Sequence, residues 1–249
     1  MNKPTRVERK RHRKVVFFRL VLLLALSSFL VAFAFKSSYL NIAIINLEGN
    51  DSLEKDYIIN ASGISMGENI LRIKTSVAEN HIESLPYVKN AIIKQKLPKT
   101  INIIVEERKA VVQLKYLSSY ILFDTEGFAL ETVENKNENL PIFGGFNINE
   151  IKPGDNILLN EHGKQLEDFF NDNEINYIIN KMTEINYVDE NNININLNNG
   201  IGVAFGPLYN VKYKLRLLDK ILLDIEKKQI PCKMIIMNKG ENPIIVTDN

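Results

Sequence analysis

The rhythm of apolar and polar positions changes three times along this chain. Val15 to Phe35 (VVFFRLVLLLALSSFLVAFAF) is apolar at nearly every position, with Arg19 its one charge. As a helix rising about 1.5 Å per residue it spans roughly 31 Å, the thickness of a bilayer core. Arg19 lies one turn inside the basic end, where a long stem carries the charge to the headgroups. Ser27 and Ser28 can place their hydroxyls on the helix backbone.

From Leu40 to Arg108 alternation and helical spacing take turns. Leu40–Glu48, apolar at Leu40, Ile42 and Ile44, predicts a half-buried strand. Gly49-Asn50-Asp51 predicts a turn, and Ser52 a cap for a short helix ending near Gly63. Ser76-Val77-Ala78-Glu79 has the form of a capping box for a second helix, running to Leu85 and stopped by Pro86. Strands follow at Val88–Lys96 and Thr100–Glu107, joined at Leu97-Pro98-Lys99. The second alternates Ile101, Ile103 and Val105 against Asn102, Ile104 and Glu106.

The third regime is a mixed one. Asn192–Phe205 alternates Ile193, Ile195 and Leu197, then turns at Asn199-Gly200, the preferred type I′ pair. Val211–Lys227 places Val211, Leu215, Leu218, Leu222 and Ile225 on one helical face, widened by Leu217, Ile221 and Leu223. Glu161–Thr183 is expected to be helical in one or two pieces, and Lys233–Met237 and Pro243–Thr247 are the final strands. The fold class expected is α+β: a single N-terminal transmembrane helix, a βααββ unit, then a second mixed β-sheet domain with helices.

Composition adds direction. The chain has 249 residues, 45% hydrophobic and 24% charged, as in an ordinary globular protein of one or two domains. Its net charge of +1 hides an asymmetry. Lys3, Arg6, Arg9, Lys10, Arg11, Arg13, Lys14, Arg19 and Lys36 face only Glu8 within residues 1–36, so the remainder is acidic. An acidic body is a poor nucleic-acid surface. The basic flank keeps the N-terminus in the cytoplasm and sends the rest outside. A cleaved signal peptide is the alternative, and Ala32-Phe33-Ala34 has the small-x-small form. The apolar run exceeds the 7–15 residues of a signal h-region, which favours an anchor.

Candidate chemistry is sparse. Gly63-Ile64-Ser65-Met66-Gly67 matches the G-x-S-x-G elbow, but an elbow needs a strand before its Ser and a helix after it, and here the order is reversed. Cys232, the sole cysteine, excludes an internal disulfide and a Cys-rich zinc site. As the thiol of a sortase-like transpeptidase it would need a nearby His and Arg; His162 is available, but no Arg follows Arg216. His12, His81 and His162 lack metal-ligand spacing. Glu106-Glu107 and Glu131/Glu134 read as solvated faces. The expectation is no catalysis, cofactor, metal or small-molecule substrate.

The βααββ order resembles a POTRA domain. The wording "INLEGNDSLEKDYIINASGISMGENILRI" and "LPYVKNAIIKQKLPKTINIIVEERKAV" resembles the POTRA module of the FtsQ/DivIB bacterial cell-division family, best at Pro86, Val88, Ala91, Leu97-Pro98, Ile101, Ile103, Val105 and Glu107-Arg108. Three later stretches are similar to the family's β domain: Tyr120–Asp124 with Gly127, Leu140–Gly144, and Leu197-x-x-Gly200-x-x-Val203-x-x-Gly206 with the helix after it. The resemblance implies a cytoplasmic arm at 1–14, a span at 15–35, a POTRA domain at 36–110 and a β domain at 111–249. It implies a non-catalytic scaffold at the division septum that docks single-pass coiled-coil proteins of the FtsB/DivIC and FtsL type. The implied docking residues are Ile244, Ile245 and Val246 on the last strand, with Tyr213, Arg216 and Lys220 on the preceding helix. A terminal strand is free to sit at a sheet edge and accept a partner strand, so Ile245→Pro or Ile245→Glu is expected to weaken partner capture. One departure stands out: the family often carries an acidic or polar pair in the strand after the last helix, where this chain has Met234-Ile235-Ile236-Met237. A POTRA-bearing export or assembly factor is the rival reading, although no amphipathic barrel strands follow residue 110.

Overall fold

The computed structural model of the protein describes residues 6–145, 151–159, 178–239 and 242–247. Helix α1 runs from Arg6 to Lys36. Its segment Lys14–Lys36 is long and apolar enough to cross a membrane, and none of its residues is buried. Chain contacts define two compact units, Met1–Glu83 with Asn90–Glu106, and Ser84–Lys89 with Glu107–Asn249.

The βααββ unit holds β1 (Ile44–Glu48), α2 (Lys55–Ser62), α3 (Thr75–Glu83), β2 (Val88–Lys96) and β3 (Thr100–Glu107). The sheet order is β1-β3-β2, and β1 runs parallel to β3 from Ile44 opposite Thr100 to Glu48 opposite Ile104. Ile58, Ile70, Ile82, Ile101 and Ile103 fill its core. Gly49 ends β1 at φ +86°, with the Val105 carbonyl so close that a Cβ would meet it at 2.0 Å. Gly63 terminates α2 at φ 70°, as its position after the helix implies.

Three local expectations change here. The first strand starts at Ile44 and not at Leu40, because Ser37 caps a 3-10 turn over Ser38–Leu40. The buried phase is therefore Ile42 and Ile45, and Ile44 is exposed. Helix α2 starts after Glu54, two residues beyond Ser52. The Ser76/Glu79 capping box does not form. Ser76 lies inside α3, and the Glu79 carboxylate accepts the backbone N–H of Ile93 in β2 at 2.7 Å. Glu83 accepts the N–H of Ala91 in the same way, so two acids of α3 serve the strand backbone instead of their own helix end.

The second unit is a mixed nine-stranded sheet in the order β12-β11-β10-β9-β8-β7-β4-β5-β6. Its strands are β4 (Val112–Tyr116), β5 (Ser119–Phe123), β6 (Ala129–Val133), β7 (Ile142–Gly144), β8 (Met182–Asp189), β9 (Asn192–Leu197), β10 (Gly202–Ala204), β11 (Cys232–Ile236) and β12 (Ile244–Thr247). Helix α4 (Val211–Lys228) lays Val211, Leu215, Leu218, Leu222 and Ile225 into the core with Ile185, Ile193, Ile195, Val203 and Ile235. Leu217 and Ile221 flank that face as expected, but Leu223 is exposed. The expected helix over Glu161–Thr183 lies outside the described residues through residue 177; Ile178 and Ile179 are helical, and its end is corrected: Met182 and Thr183 belong to β8.

The Asp124-x-x-Gly127 turn is an electrostatic joint between β5 and β6. Asp124 Oδ1 accepts the N–H groups of Glu126 and Phe128 at 2.9 and 2.8 Å. Its other oxygen accepts Arg108 Nη1 at 2.5 Å, and the Arg108 guanidinium lies 3.8 Å from the centre of the Phe128 ring. Lys89 and Arg108 together hold the Glu126 carboxyl below its ordinary range. The Asn199-Gly200 turn forms, but with a three-residue loop. Gly200 has φ +85° while Asn199 is not left-handed, and Gly200 N–H donates to Leu197 O at 3.0 Å. The extra residue replaces the tight type I′ pair with a wider turn.

A candidate partner-binding edge

Strand β12 is the outermost strand of the large sheet, antiparallel to β11, with Ile236 opposite Ile244, Ile235 opposite Ile245 and Met234 opposite Val246. Among the described residues no strand pairs with its outer side. Directly opposed residues point to the same face of a sheet. Ile235 is fully buried, so Ile245 lies on the core face, whereas Ile244 and Val246 lie with Met234 and Ile236 on the other.

That other face is open. Register carries it from Asn194 and Asn196 on β9 to Ala204 and Gly202 on β10, then to Ile236 and Met234, then to Ile244 and Val246. It passes from polar, through small, to apolar as it nears the edge. Ile244 is 49%, Met234 40% and Val246 36% exposed. A bulge between Cys232 and Met234 sits beside this patch, as bulges often do near edges.

The two edges of the sheet differ in protection. At the far edge, β6 carries Glu131, which accepts the Tyr87 hydroxyl at 3.0 Å, and a bulge interrupts its pairing with β5. Burial and the Glu131 carboxylate push the Tyr87 phenol up to about 12. Strand β12 is Ile-Ile-Val-Thr, with no charge and no internal proline. Charges and prolines on an edge strand are usual guards against strand addition, and β12 lacks both; the bulge in its pairing with β11 lies at the Thr247 end and leaves Ile244–Val246 regularly paired.

The sequence-derived helix residues fall on a separate surface. Tyr213, Arg216 and Lys220 follow one another at +3 and +4 on the exposed side of α4, opposite the buried stripe that meets the sheet. They share a stripe with one another, and that stripe points away from the face carrying Met234, Ile236, Ile244 and Val246.

What orients α4 is a residue the periodicity does not reveal. Lys214 is buried at the start of the helix. Its Nζ donates to Pro207 O at 2.7 Å and Phe205 O at 3.4 Å, and lies 4.5 Å from the Tyr209 ring centre. Burial holds its amine below the ordinary lysine range. The ammonium thus ties down the loop between β10 and α4. Met234 and Ile236 lie in a run apolar at every position, which has no readable phase. The run itself is the signal: both faces of β11 carry apolar side chains, and among the described residues only the Ile235 face is fully buried.

Ser65 and Cys232, the two candidate nucleophiles of the sequence, are both within the described residues. Ser65 follows α2 on an exposed loop, with no strand before it. Cys232 opens β11, half-buried beside the core, where burial pushes its thiol up. The described residues contain no group of three or more His, Cys, Asp and Glu placed to hold a metal.

A helix long and apolar enough to cross a membrane, then a βααββ unit and a larger mixed sheet, is the arrangement expected of a POTRA protein with an N-terminal span. A family model described as "POTRA domain, FtsQ-type" matches residues 40–108. The cell division protein DivIB of Clostridium botulinum strain Loch Maree is 32% identical over 243 residues, 95% of this chain and 92% of that protein. DivIB of Clostridium acetobutylicum is 34% identical over 163 residues, and the match spans 65% of this chain but 61% of that protein. The solved extracytoplasmic domain of DivIB from Geobacillus stearothermophilus aligns with 49% of this chain and 97% of its own, at 14% identity and TM-score 0.35, too distant to support an inference. The chain belongs to the FtsQ/DivIB family of cell-division proteins.

Proposed function

We propose that this protein is a membrane-anchored, non-catalytic scaffold of cell division. Its basic arm lies in the cytoplasm, α1 crosses the membrane, and the POTRA and β domains stand outside it at the septum. There it docks single-pass coiled-coil division proteins of the FtsB/DivIC and FtsL type, and so supports the septum-building machinery assembled around them.

One observation carries the docking part: β12 is an unguarded edge whose open face is apolar at Ile244, Val246, Met234 and Ile236. A partner segment adding as a further strand gains backbone hydrogen bonds along the edge and apolar cover on that face. Ile245 contributes from the core side, and Tyr213, Arg216 and Lys220 offer a second, polar contact to a partner that continues over α4. The basic flank of α1 supports the orientation.

The test is capture of a purified partner of this type by the full chain in nanodiscs. Val246→Glu places a charge in the apolar contact. At about 2 kcal/mol or more for an interface residue so disrupted, affinity falls roughly 30-fold or more. Affinity unchanged by both Val246→Glu and Ile244→Glu sinks the edge-docking account. Septal localisation is read separately, from a functional N-terminal fluorescent fusion that forms a band at mid-cell.

A further inference from the structure

The end of α1 and one end of the POTRA unit are joined by named contacts. Asn69 Nδ2 donates to Ala34 O at 2.9 Å and to Ser37 O at 3.3 Å, and Arg72 Nη2 donates to Phe35 O at 3.0 Å. These carbonyls belong to the last turn of the apolar helix and the residue just past it, groups a helix end leaves without internal partners. The same turn marks where hydrocarbon gives way to headgroups, since the apolar run stops at Phe35 and Lys36 follows. The side chains of Asn69 and Arg72 therefore lie at the level of the lipid headgroups.

More of the unit is gathered at that end. Strand β1 begins at Ile44 opposite Thr100, the first residue of β3, so the β2–β3 turn at Leu97-Pro98-Lys99 is at the helix-proximal end of the sheet. Lys99 O accepts the N–H of Ala43, and Lys99 Nζ lies 5.3 Å from the Tyr39 ring centre. Gln95 Nε2 donates to Ile70 O and Ile73 O, on either side of Arg72. The exposed apolar groups of this end include Tyr39 (65%), Leu97 (60%), Met66 (60%) and Ile44 (51%); its cations include Lys36, Arg72, Lys96 and Lys99, against the exposed Glu68. Arg72 and Lys99 form no ion pair with a carboxylate among the described residues. An aromatic ring, an exposed leucine and unpaired cations at headgroup depth are the composition of a membrane-interface surface.

We propose that this end of the POTRA unit is a lipid-binding surface. Tyr39 and Leu97 enter the headgroup layer of the leaflet from which α1 emerges, and Arg72 and Lys99 bind the phosphates of anionic phospholipids there. The occupant is the bilayer that holds α1, because the contacts to Ala34, Phe35 and Ser37 join this surface to the end of the span. This rests on reading α1 as a membrane span.

The chain contains no tryptophan, so single tryptophans report depth without background. The full chain is reconstituted in vesicles of phosphatidylglycerol and phosphatidylcholine, carrying either a headgroup nitroxide or mid-chain bromines. Leu97→Trp reports the surface, Tyr57→Trp the start of α2 beyond the opposite end of β1, and Leu24→Trp the span. The expected result is that the headgroup nitroxide quenches Leu97→Trp at least twofold more than Tyr57→Trp, while bromines quench Leu24→Trp. Adding Lys99→Gln to Leu97→Trp, or replacing phosphatidylglycerol with phosphatidylcholine, reduces the difference. Equal quenching of the Leu97→Trp and Tyr57→Trp variants, with Leu24→Trp quenched by bromine, overturns the surface and leaves the span standing. Absence of bromine quenching of Leu24→Trp overturns the span and the surface together.

Discussion

Truncating Asp124 tests whether the turn between β5 and β6 is held by the buried ion pair. The Asp124 and Arg108 side chains are 5% and 10% exposed. Asp124→Ala removes the acceptor for Arg108 and for the N–H groups of Glu126 and Phe128. Arg108 keeps Glu126 at 2.7 Å, but that carboxylate is 38% exposed and shared with Lys89. Breaking a buried pair by deleting one partner costs about 3–5 kcal/mol, mostly because the other charge stays buried. That converts to roughly 150- to 5000-fold. The readout is hydrogen exchange of peptides covering Ser119–Val133, where protection falls by that factor if these strands open with the unit. Asp124→Asn keeps one oxygen for the two N–H groups and loses less. Glu126→Gln, at an exposed position, costs about 1 kcal/mol or less. If Asp124→Ala lowers protection less than tenfold, the pair is not what holds this turn.

Other expectations follow from the same geometry. Gly49→Ala combines a left-handed φ with a Cβ 2.0 Å from Val105 O, so it destabilises the POTRA unit by about 2 kcal/mol or more, read as lost exchange protection in β1 and β3. Leu218→Ala, at a fully buried position, costs about 2–5 kcal/mol. Leu223→Ala, on the exposed side of the same helix, stays within about 0.5 kcal/mol; equal losses in a denaturant titration would contradict the assigned face. Tyr87 titrates near 10 when unfolded and at about 12 when folded. The folded state then holds the extra proton, so its contribution is complete below 10 and is lost as pH rises toward 12. Tyr87→Phe removes that component from the pH dependence of unfolding.

The parts of the fold that were legible share a simple cause. Thr100–Glu107 was readable because one face is buried at Ile101, Ile103 and Val105 and the other is not, which leaves a period of two in the sequence. The α4 stripe was readable for the same reason at a period of 3.6. Met182–Asp189 was missed because only Met182 and Ile185 are fully buried and their spacing of three mimics a helix. Glu79 was misread because a capping box and a bond to a neighbouring strand need the same residue, and only tertiary structure decides between them. Ile244–Val246 was read as a strand, but its position at an edge, and the division of Ile245 from Ile244 and Val246 between two faces, depend on register with β11. For that reason Val246 and Ile244 replace Ile245 as the preferred sites of substitution: a charge at Ile245 would also disturb the core beside Ile235.

The central claim is that β12 is where another division protein pairs with this one. It is tested most directly by placing a photo-crosslinking residue at Ile244 and at Val246 of the full chain in dividing cells, with Tyr57 as the control position. The account predicts adducts with a single-pass coiled-coil division protein from both edge positions and none from the control. No adduct from either edge position, or the same adduct from Tyr57, would contradict it.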